Sequence, residues 1–165
     1  MLHDSRLPKK SLSLPTPPVA SSAAVRAVMV GNRKRDTRPE RALRSALHRR
    51  GLRYRLHTRP AEARCQVDIV FPTARVAVFI DGCFWHRCPE HGVRPRTNSE
   101  YWDAKIARNV ARDRRNNAEL EAAGWTVMRV WEHESPEEAA DLISQLVRQR
   151  QAPRPDRPST ADPQG

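Results

Sequence analysis

The segment between residues 66 and 81 constrains the fold most, because it has the pattern of two neighbouring strands joined by a tight turn. Residues 66–71 and 75–81 are separated by a turn at Pro72. The second segment is almost entirely apolar, which is typical of a strand covered on both faces. We therefore expect a central strand here, beside a first strand whose apolar run is interrupted by Asp68.

Helix and strand signals surround this pair. Thr37, Pro39 and Glu40 form a capping-box signature for a helix that Gly51 ends. The other expected elements are a short strand over 52–56, a long polar helix over 99–123, a buried strand over 125–131, and a last helix that opens at Ser135 and buries Leu142, Ile143 and Leu146. This order predicts a mixed α/β sheet flanked by helices in one domain, residues 23–150, with disordered tails over 1–22 and 151–165.

The charge of the chain indicates a polyanionic partner. Its 165 residues include 30 Lys plus Arg against 19 Asp plus Glu, a formal charge of +11, and 26 of the cations are Arg. Arginine forks onto phosphate and stacks on bases better than lysine does. A compositional bias toward arginine would give the same count, so the charge alone leaves both explanations open.

Three further features bear on the class of protein. No window approaches the roughly 18 apolar residues that cross a bilayer, and the N-terminus lacks the apolar core of a signal peptide. Three cysteines cannot form a closed disulfide framework, and clustered Cys and His in a reducing compartment more often bind metal. We therefore expect a soluble intracellular protein.

The loop after the apolar strand, residues 81–92, concentrates metal-ligating side chains. Cys83, Cys88 and His91 are close enough in sequence to reach one ion, and zinc favours four sulfur or nitrogen ligands in a closed structural site. The fourth ligand would be His133, just past the strand that ends at Trp131, or His86 within the loop. The alternative is a pair of buried cysteines with surface histidines, but this does not explain their crowding. Cys65 is expected to be a plain apolar residue.

Asp68 is the second anomaly, since burying an unpaired carboxylate is costly. A divalent cation would remove that cost, and magnesium commonly takes one or two protein carboxylates and leaves its other positions to water and phosphate. The alternative is a cap or an ion pair, and Glu40 likewise has a sufficient role in its capping box. Clustered cations accompany these acids, which is the combination that a nuclease needs; they are Arg33, Lys34, Arg35, Arg108, Arg112, Arg114 and Arg115.

Taken together, these residues resemble the very-short-patch mismatch repair endonucleases, which nick DNA 5′ to the thymine of a T·G mismatch that arises from deaminated 5-methylcytosine. The resemblance covers residues 26–146. It rests on Asp36-Thr37-x-Pro39-Glu40, Val67-Asp68-Ile69-Val70, the loop from Asp81 to His86, Tyr101-Trp102 and Trp131-Glu132-His133. It implies a restriction-endonuclease-like α/β fold, a structural zinc and magnesium-dependent phosphodiester hydrolysis.

The resemblance also implies roles for individual residues. Asp68 would be the magnesium-binding catalytic aspartate, with the main-chain carbonyl of Ile80 beside it, and Glu40 would help to organise the hydrated metal. His86 would be the catalytic histidine, which removes it from the possible zinc ligands. Cys83 and Cys88 match zinc positions of the family. His91 departs from the family pattern by one position, and His133 departs from it by residue type. Asp81 stands where a histidine is found, and could supplement the magnesium site instead.

Aromatic residues complete the expected DNA interface. Phe84, Trp85 and Trp102 match side chains that wedge into the stack beside the mismatch, with Met29 joining them from the N-terminal arm; Arg33, Arg35, Arg112 and Arg115 would contact phosphates. The expected protein is a cytoplasmic, nucleoid-associated bacterial monomer that acts on mismatched duplex DNA and is functionally paired with a cytosine-5 DNA methyltransferase. The competing interpretations are a nuclease of the same fold with another DNA preference, and a zinc-bearing DNA-binding module without activity.

Overall fold

A computed structural model of the chain describes residues 35–61, 63–93, 95 and 97–152. The expected N-terminal tail, residues 153–165 of the expected C-terminal tail, Met29 and Arg33 lie outside the described residues. Gln151, which was expected to begin the C-terminal tail, is the last residue of the final helix. In chain order the elements are α1 (Arg38–Arg49), β1 (Arg55–Thr58), β2 (Val67–Phe71), β3 (Val76–Asp81), α2 (Ser99–Ala122), β4 (Thr126–Trp131) and α3 (Pro136–Gln151).

The strands form one four-stranded sheet in the order β1-β2-β3-β4. β1 and β3 each pair antiparallel with β2, and β4 runs parallel to β3. β3 is therefore an interior strand, as its apolar sequence predicts. Because β3 and β4 are parallel, the segments that follow Asp81 and Trp131 leave the sheet at the same edge, and this brings the loop of residues 82–92 next to His133.

The sheet is covered on both faces. The larger core contains Leu43 and Leu47 from α1 and Ile143 from α3, packed on side chains of β2 and β3 such as Ile69 and Val78. The second core contains Leu120 of α2 with side chains from the opposite face, since successive strand residues alternate between faces; these include Val70, Ala77, Phe79 and Trp125. The mixed α/β sheet flanked by helices is thus confirmed.

The helix boundaries follow the capping signals. Thr37 Oγ1 accepts a hydrogen bond from the Glu40 amide at 3.4 Å, and Ser135 caps α3 in the same way. Gly51 and Gly124 follow α1 and α2 with positive φ angles of 74° and 81°, which a glycine adopts without strain.

Three expectations about local structure were wrong. The first strand begins at Arg55, not at residue 52, because the Leu52 amide still donates a hydrogen bond to the Leu47 carbonyl at the end of α1. β4 is the edge of the described sheet and is mostly half-buried. Leu142 is 57% exposed, because the buried stripe of α3 runs through Ala139, Ile143 and Val147 at helical spacing and turns Leu142 outward. Among the described residues no helix is long and apolar enough to cross a membrane.

Candidate active site and metal cluster

A cleft of about 420 Å³ opens on the α2 side of the sheet. Five of the predicted site residues line it: Glu40, Asp68, Ile80, His86 and Arg112. The sheet explains the convergence, because Asp68 of β2 and Asp81 of β3 lie on the same face as Phe79, where α2 packs. The remaining lining residues are Arg64, Cys65, Gln66, Phe79, Asp81, Asp113, Asn116 and Arg129.

Asp68 is half-buried in this cleft and forms no ion pair with a lysine or arginine among the described residues. Its Oδ2 accepts a hydrogen bond from the Ile80 amide at 2.9 Å, and its Oδ1 lies 4.0 Å from Nδ1 of His57. Burial raises the pKa of Asp68, and the amide of Ile80 opposes that rise only in part. The carboxylate is therefore held in place with its charge uncompensated.

Ile80 lies beyond the last paired residues of β2 and β3, which are Ile69 and Val78. Its amide points to Asp68, and in a strand the amide and the carbonyl of one residue face the same edge. The Ile80 carbonyl therefore faces the side of Asp68, in agreement with the expected pairing of these two groups.

Glu40 occupies the end of α1 nearest the cleft and is 5% exposed. Its two oxygens accept hydrogen bonds from the Asp36 amide at 2.8 Å and from Thr37 Oγ1 at 3.1 Å. The reciprocal bond of the expected capping box thus goes to the amide of Asp36, one residue before the cap. Capping and a place at the cleft coexist in one side chain.

His57 is a site neighbour that the sequence analysis missed. Its Nε2 lies 3.8 Å from Oε2 of Glu40, its Nδ1 faces Asp68, and its backbone has a positive φ of 46° inside β1. Nε2 is buried and makes no hydrogen bond within the described part of the chain. Asp36, Glu40 and His57 could together approach one ion, but both Glu40 oxygens serve the cap and Arg44 binds Asp36.

His86 is bonded to a second residue that the sequence analysis missed. Its Nδ1 lies 2.6 Å from Oδ2 of Asp113, which α2 presents to the cleft. Burial opposes ionisation of Asp113, but the bond to His86 and the charges of Arg129 and Arg112 outweigh it and hold its pKa below the usual value. Because Nδ1 is engaged, the neutral ring carries its lone pair on Nε2.

Asp81 is not available as a second metal ligand in this structure. It is 3% exposed, and Arg129 binds both of its oxygens, at 2.5 and 2.8 Å. The bidentate geometry is that of a strong charge-assisted pair. The suggestion that Asp81 supplements the magnesium site therefore loses its structural support.

Four of the predicted metal ligands converge where the two ends of the loop meet the segment after β4. The ligand atoms of Cys83, Cys88, His91 and His133 all lie within 4.8 Å of one another. Nδ1 of His133 is 3.1 Å from Sγ of Cys83 and 3.7 Å from Sγ of Cys88. A tetrahedral zinc site would place sulfur and nitrogen ligands about 3.5 Å apart. His86 is not part of this cluster, so of the two candidates for the fourth position the geometry selects His133.

The surroundings of the cluster suit a metal. His133 Nε2 faces the Glu90 carboxylate at 3.4 Å. Metal-bound histidines are commonly oriented in this way, by a carboxylate at the ring nitrogen that does not bind the metal. Burial and the neighbouring Cys88 raise the pKa of the Cys83 thiol to about 11, so without a cation the Cys83 thiol stays protonated. Gly92 allows the tight turn, since a Cβ there would lie 2.5 Å from the carbonyl oxygen of Cys88.

The three predicted wedge residues form one aromatic cluster. The ring centroids of Phe84 and Trp85 are 4.9 Å apart, and those of Phe84 and Trp102 are 5.5 Å apart. Trp102 is 9% exposed, whereas Phe84 and Trp85 are half-buried. Lys105 Nζ lies between 5.1 and 5.5 Å from the rings of Trp85, Trp102 and Tyr101. Phe84 and Trp85 are therefore the accessible part of the cluster, and Trp102 supports them.

Two of the predicted cationic contacts lie at the cleft. Arg112 lines it and lies 3.3 Å from Asp113, while Arg35 donates to Gln66 on its rim at 2.7 Å. Arg115 is exposed on α2. Arg33 and Met29 fall outside the described residues.

Comparison with known proteins gives consistent similarities. A family model described as DNA mismatch endonuclease Vsr matches residues 19–90. The type II nicking enzyme V.NaeI of Lentzea aerocolonigenes is 52% identical over 118 residues, 70% of this chain and 71% of that protein. The type II nicking enzyme V.XorIIP of Xanthomonas oryzae pv. oryzae is 46% identical over 106 residues, which cover 62% of this chain and 74% of that protein. The DNA mismatch endonuclease Vsr of Escherichia coli is 41% identical over 100 residues, which cover 59% of this chain and 62% of that protein.

Proposed function

This chain belongs to the Vsr family of DNA mismatch endonucleases, and on that premise we propose that it is a magnesium-dependent nickase that cuts duplex DNA 5′ to the thymine of a T·G mismatch. It is an endodeoxyribonuclease, as the family and the named nicking enzymes among its relatives indicate. The relevant mismatch would arise by deamination of 5-methylcytosine. The enzyme would then be functionally paired with a cytosine-5 DNA methyltransferase that acts on the same sites in the bacterial cytoplasm.

One observation carries the proposal: the uncompensated Asp68 carboxylate shares a cleft with the His86–Asp113 pair and with Arg112. An acid whose pKa is raised by burial suits a divalent cation, and the oxygen donors at hand suit magnesium. Asp68 and the Ile80 carbonyl would hold that ion. When bound, magnesium would polarise the scissile phosphate and stabilise the charge that develops on it.

The side chains of the cleft supply the rest of the reaction. Nε2 of His86 would accept the proton of the attacking water, since Asp113 occupies Nδ1 and favours the tautomer with a free lone pair on Nε2. The same carboxylate would stabilise the imidazolium that forms. Arg112 would hold a phosphate at the entrance of the cleft, and Glu40 would accept hydrogen bonds from ordered water around the metal.

The cysteine and histidine cluster has a different task in this proposal. Cys83, Cys88, His91 and His133 would bind one structural zinc, whose four protein ligands leave no position for water. The zinc would fix both ends of the loop that carries Phe84, Trp85 and His86. Metal binding would thereby position the wedge and the catalytic histidine without taking part in hydrolysis.

Mismatch preference is assigned to Phe84 and Trp85. Unstacking a base step costs a few kcal/mol and costs least at a mispaired step. Half-exposed aromatic rings supported by the buried Trp102 can enter such a step with little rearrangement of the protein.

A cleavage assay tests the proposal. Purified protein is incubated, in magnesium or in EDTA, with end-labelled duplexes that each carry one T·G pair in a different flanking sequence. We expect a single nick on the thymine strand, immediately 5′ to the thymine, in a subset of the flanks and none in EDTA. Equal cutting of matched duplexes would instead indicate a nuclease with another DNA preference. Tight binding by folded protein without any nick would indicate a DNA-binding module.

A further inference from the structure

Arg129 is a charged residue in the otherwise uncharged strand β4, and it connects several groups of the cleft. It binds both oxygens of Asp81, and its Nη2 lies 3.5 Å from Oδ2 of Asp113. Its Nη1 donates to Asn117 Oδ1 at 2.9 Å, and its guanidinium lies 4.8 Å from the centre of the Phe79 ring. Such a planar, multiply bonded guanidinium is not interchangeable with a lysine.

Two carboxylates compete for one nitrogen of His86. Oδ2 of Asp113 is 2.6 Å from Nδ1, and Oδ1 of Asp81 is 3.7 Å from the same atom. Arg129 shows the opposite preference between the two acids. Its guanidinium is bidentate to Asp81, whereas its nearest approach to Asp113 is 3.5 Å. The acid that Arg129 binds most tightly is therefore the one that does not bond to His86.

We propose that Arg129 is a positioning residue for the nicking reaction, which engages Asp81 so that Asp113 alone orients His86. This inference rests on the proposed catalytic role of His86. Arg129 touches neither DNA nor metal in this proposal and acts through the two acids. Its fork fixes the Asp81 oxygens, and its bond to Asn117 fixes the guanidinium relative to α2, the helix that carries Asp113.

Removal of Arg129 would change the competition. Asp81, buried and without its partner, would gain from turning toward His86, whose Nδ1 is already within 3.7 Å. The imidazole would then divide its bond between two acids on β3 and α2, and Nε2 would lose a single defined direction. Misplacement of a reacting group by about 1 Å costs roughly a hundredfold in rate.

The variants are Arg129→Met, which removes the fork at similar volume, Arg129→Lys, which keeps the charge, and Arg129→Met combined with Asp81→Asn, which also removes the competitor. We expect Arg129→Met to lower kcat by roughly ten- to a hundredfold, the usual cost of losing a supporting residue, with KM changed less than about twofold. The double variant should recover kcat to within about threefold of the wild type, because coupled residues are not additive. Arg129→Lys should fall between them, since it lacks the fork.

A second readout needs no substrate. Long-range ¹H–¹⁵N spectra of the histidine rings, with His86 assigned from a His86→Asn variant, should show a proton on Nδ1 of His86 in the wild type and the double variant. In Arg129→Met this signal should shift or broaden. Thermal melts accompany each variant; if Arg129→Met does not fold, Arg129→Lys and the double variant carry the test.

Two results would overturn the proposal. One is a folded Arg129→Met protein with wild-type kcat and an unchanged His86 spectrum. The other is a folded double variant with kcat as low as that of Arg129→Met, or of His86→Asn where Arg129→Met does not fold. If instead the spectra change as expected while the wild type nicks no duplex, the positioning role stands and the assigned function fails.

Discussion

Replacement of Asp68 by asparagine should abolish nicking and, at the same time, stabilise the metal-free protein. Asparagine keeps the shape of the side chain, and its amide oxygen can still accept the bond from the Ile80 amide. What is lost is the negative charge that would hold magnesium. If the ion contributes about 4 kcal/mol to stabilisation of the transition state, kcat falls roughly a thousandfold.

The stability effect follows from the direction of the pKa shift. Burial raises the pKa of Asp68 above its ordinary value of 3.8, so the folded protein binds that proton more tightly than the unfolded chain does. The free energy of unfolding therefore falls as pH rises from the unfolded pKa through the higher folded pKa. At neutral pH the ionised Asp68 is a cost in the absence of metal, and Asp68→Asn removes that cost.

The assays are single-turnover nicking at saturating magnesium and thermal melts in EDTA at neutral pH. Asp36→Asn is the matched control, because Asp36 is exposed and its bond to Arg44 lowers its pKa, so the same chemical change should bring no gain in melting temperature. Nicking by Asp68→Asn within tenfold of the wild type would refute the assignment. A melting temperature below that of the wild type in EDTA would refute the electrostatic reasoning.

Three further outcomes are expected. Metal analysis should find about one zinc per chain. Cys88→Ser should lose the zinc and unfold, while the control Cys65→Ser should keep it. Folded, active protein without zinc would contradict this prediction. Trp85→Ala should weaken binding to T·G duplex by roughly ten- to a hundredfold and binding to T·A duplex much less. Trp125→Ala, in the buried core, should instead lower the melting temperature and weaken binding to both duplexes. Equal losses of binding to the two duplexes in Trp85→Ala would assign Trp85 to the core. The log–log salt slope of DNA binding should become less steep by about 0.9 in Arg115→Gln and stay unchanged in Arg148→Gln, and a wild-type slope near zero would show that the charge of +11 is compositional bias.

Local patterns were sufficient for most of the fold, because apolar runs and capping residues act over short distances. The apolar sequence of β3 predicted an interior strand, and Thr37 and Ser135 predicted where two helices begin. Leu142 shows the limit of such reasoning. A leucine beside Ile143 looks equally apolar, but only the packing of α3 on the sheet decides which of the two faces inward.

The metal cluster was predictable for a related reason. Cys83, Cys88 and His91 are close in sequence, and the parallel pairing of β3 with β4 brings the residue after Trp131 to the same edge. Spacing alone could not choose between His86 and His133. The family resemblance assigned His86 to catalysis, and in the structure His133 lies in the ligand cluster while His86 bonds to Asp113.

The residues that were missed are those whose partners are distant in sequence. Asp113 lies among arginines and was hidden in a basic cluster, although the buried stripe of Trp102, Ile106 and Leu120 continues through it at helical spacing. Arg129 is the counterpart of Asp68, a single charge in an uncharged strand, and the same argument about buried charge would have singled it out. His57 carries no such signal, because its position between Glu40 and Asp68 depends on the pairing of β1 with β2.

The proposed recognition of a T·G mismatch can be tested by the ratio of two nicking rates. In the flanking sequence that is cut best, the single-turnover rate constant for nicking is measured at fixed salt and magnesium on a T·G duplex and on the matched C·G duplex. The stacking work assigned to Phe84 and Trp85 predicts a ratio of at least about tenfold in favour of the mismatch. A ratio near one, in folded protein that cuts both duplexes, would show that the enzyme does not select the T·G mismatch.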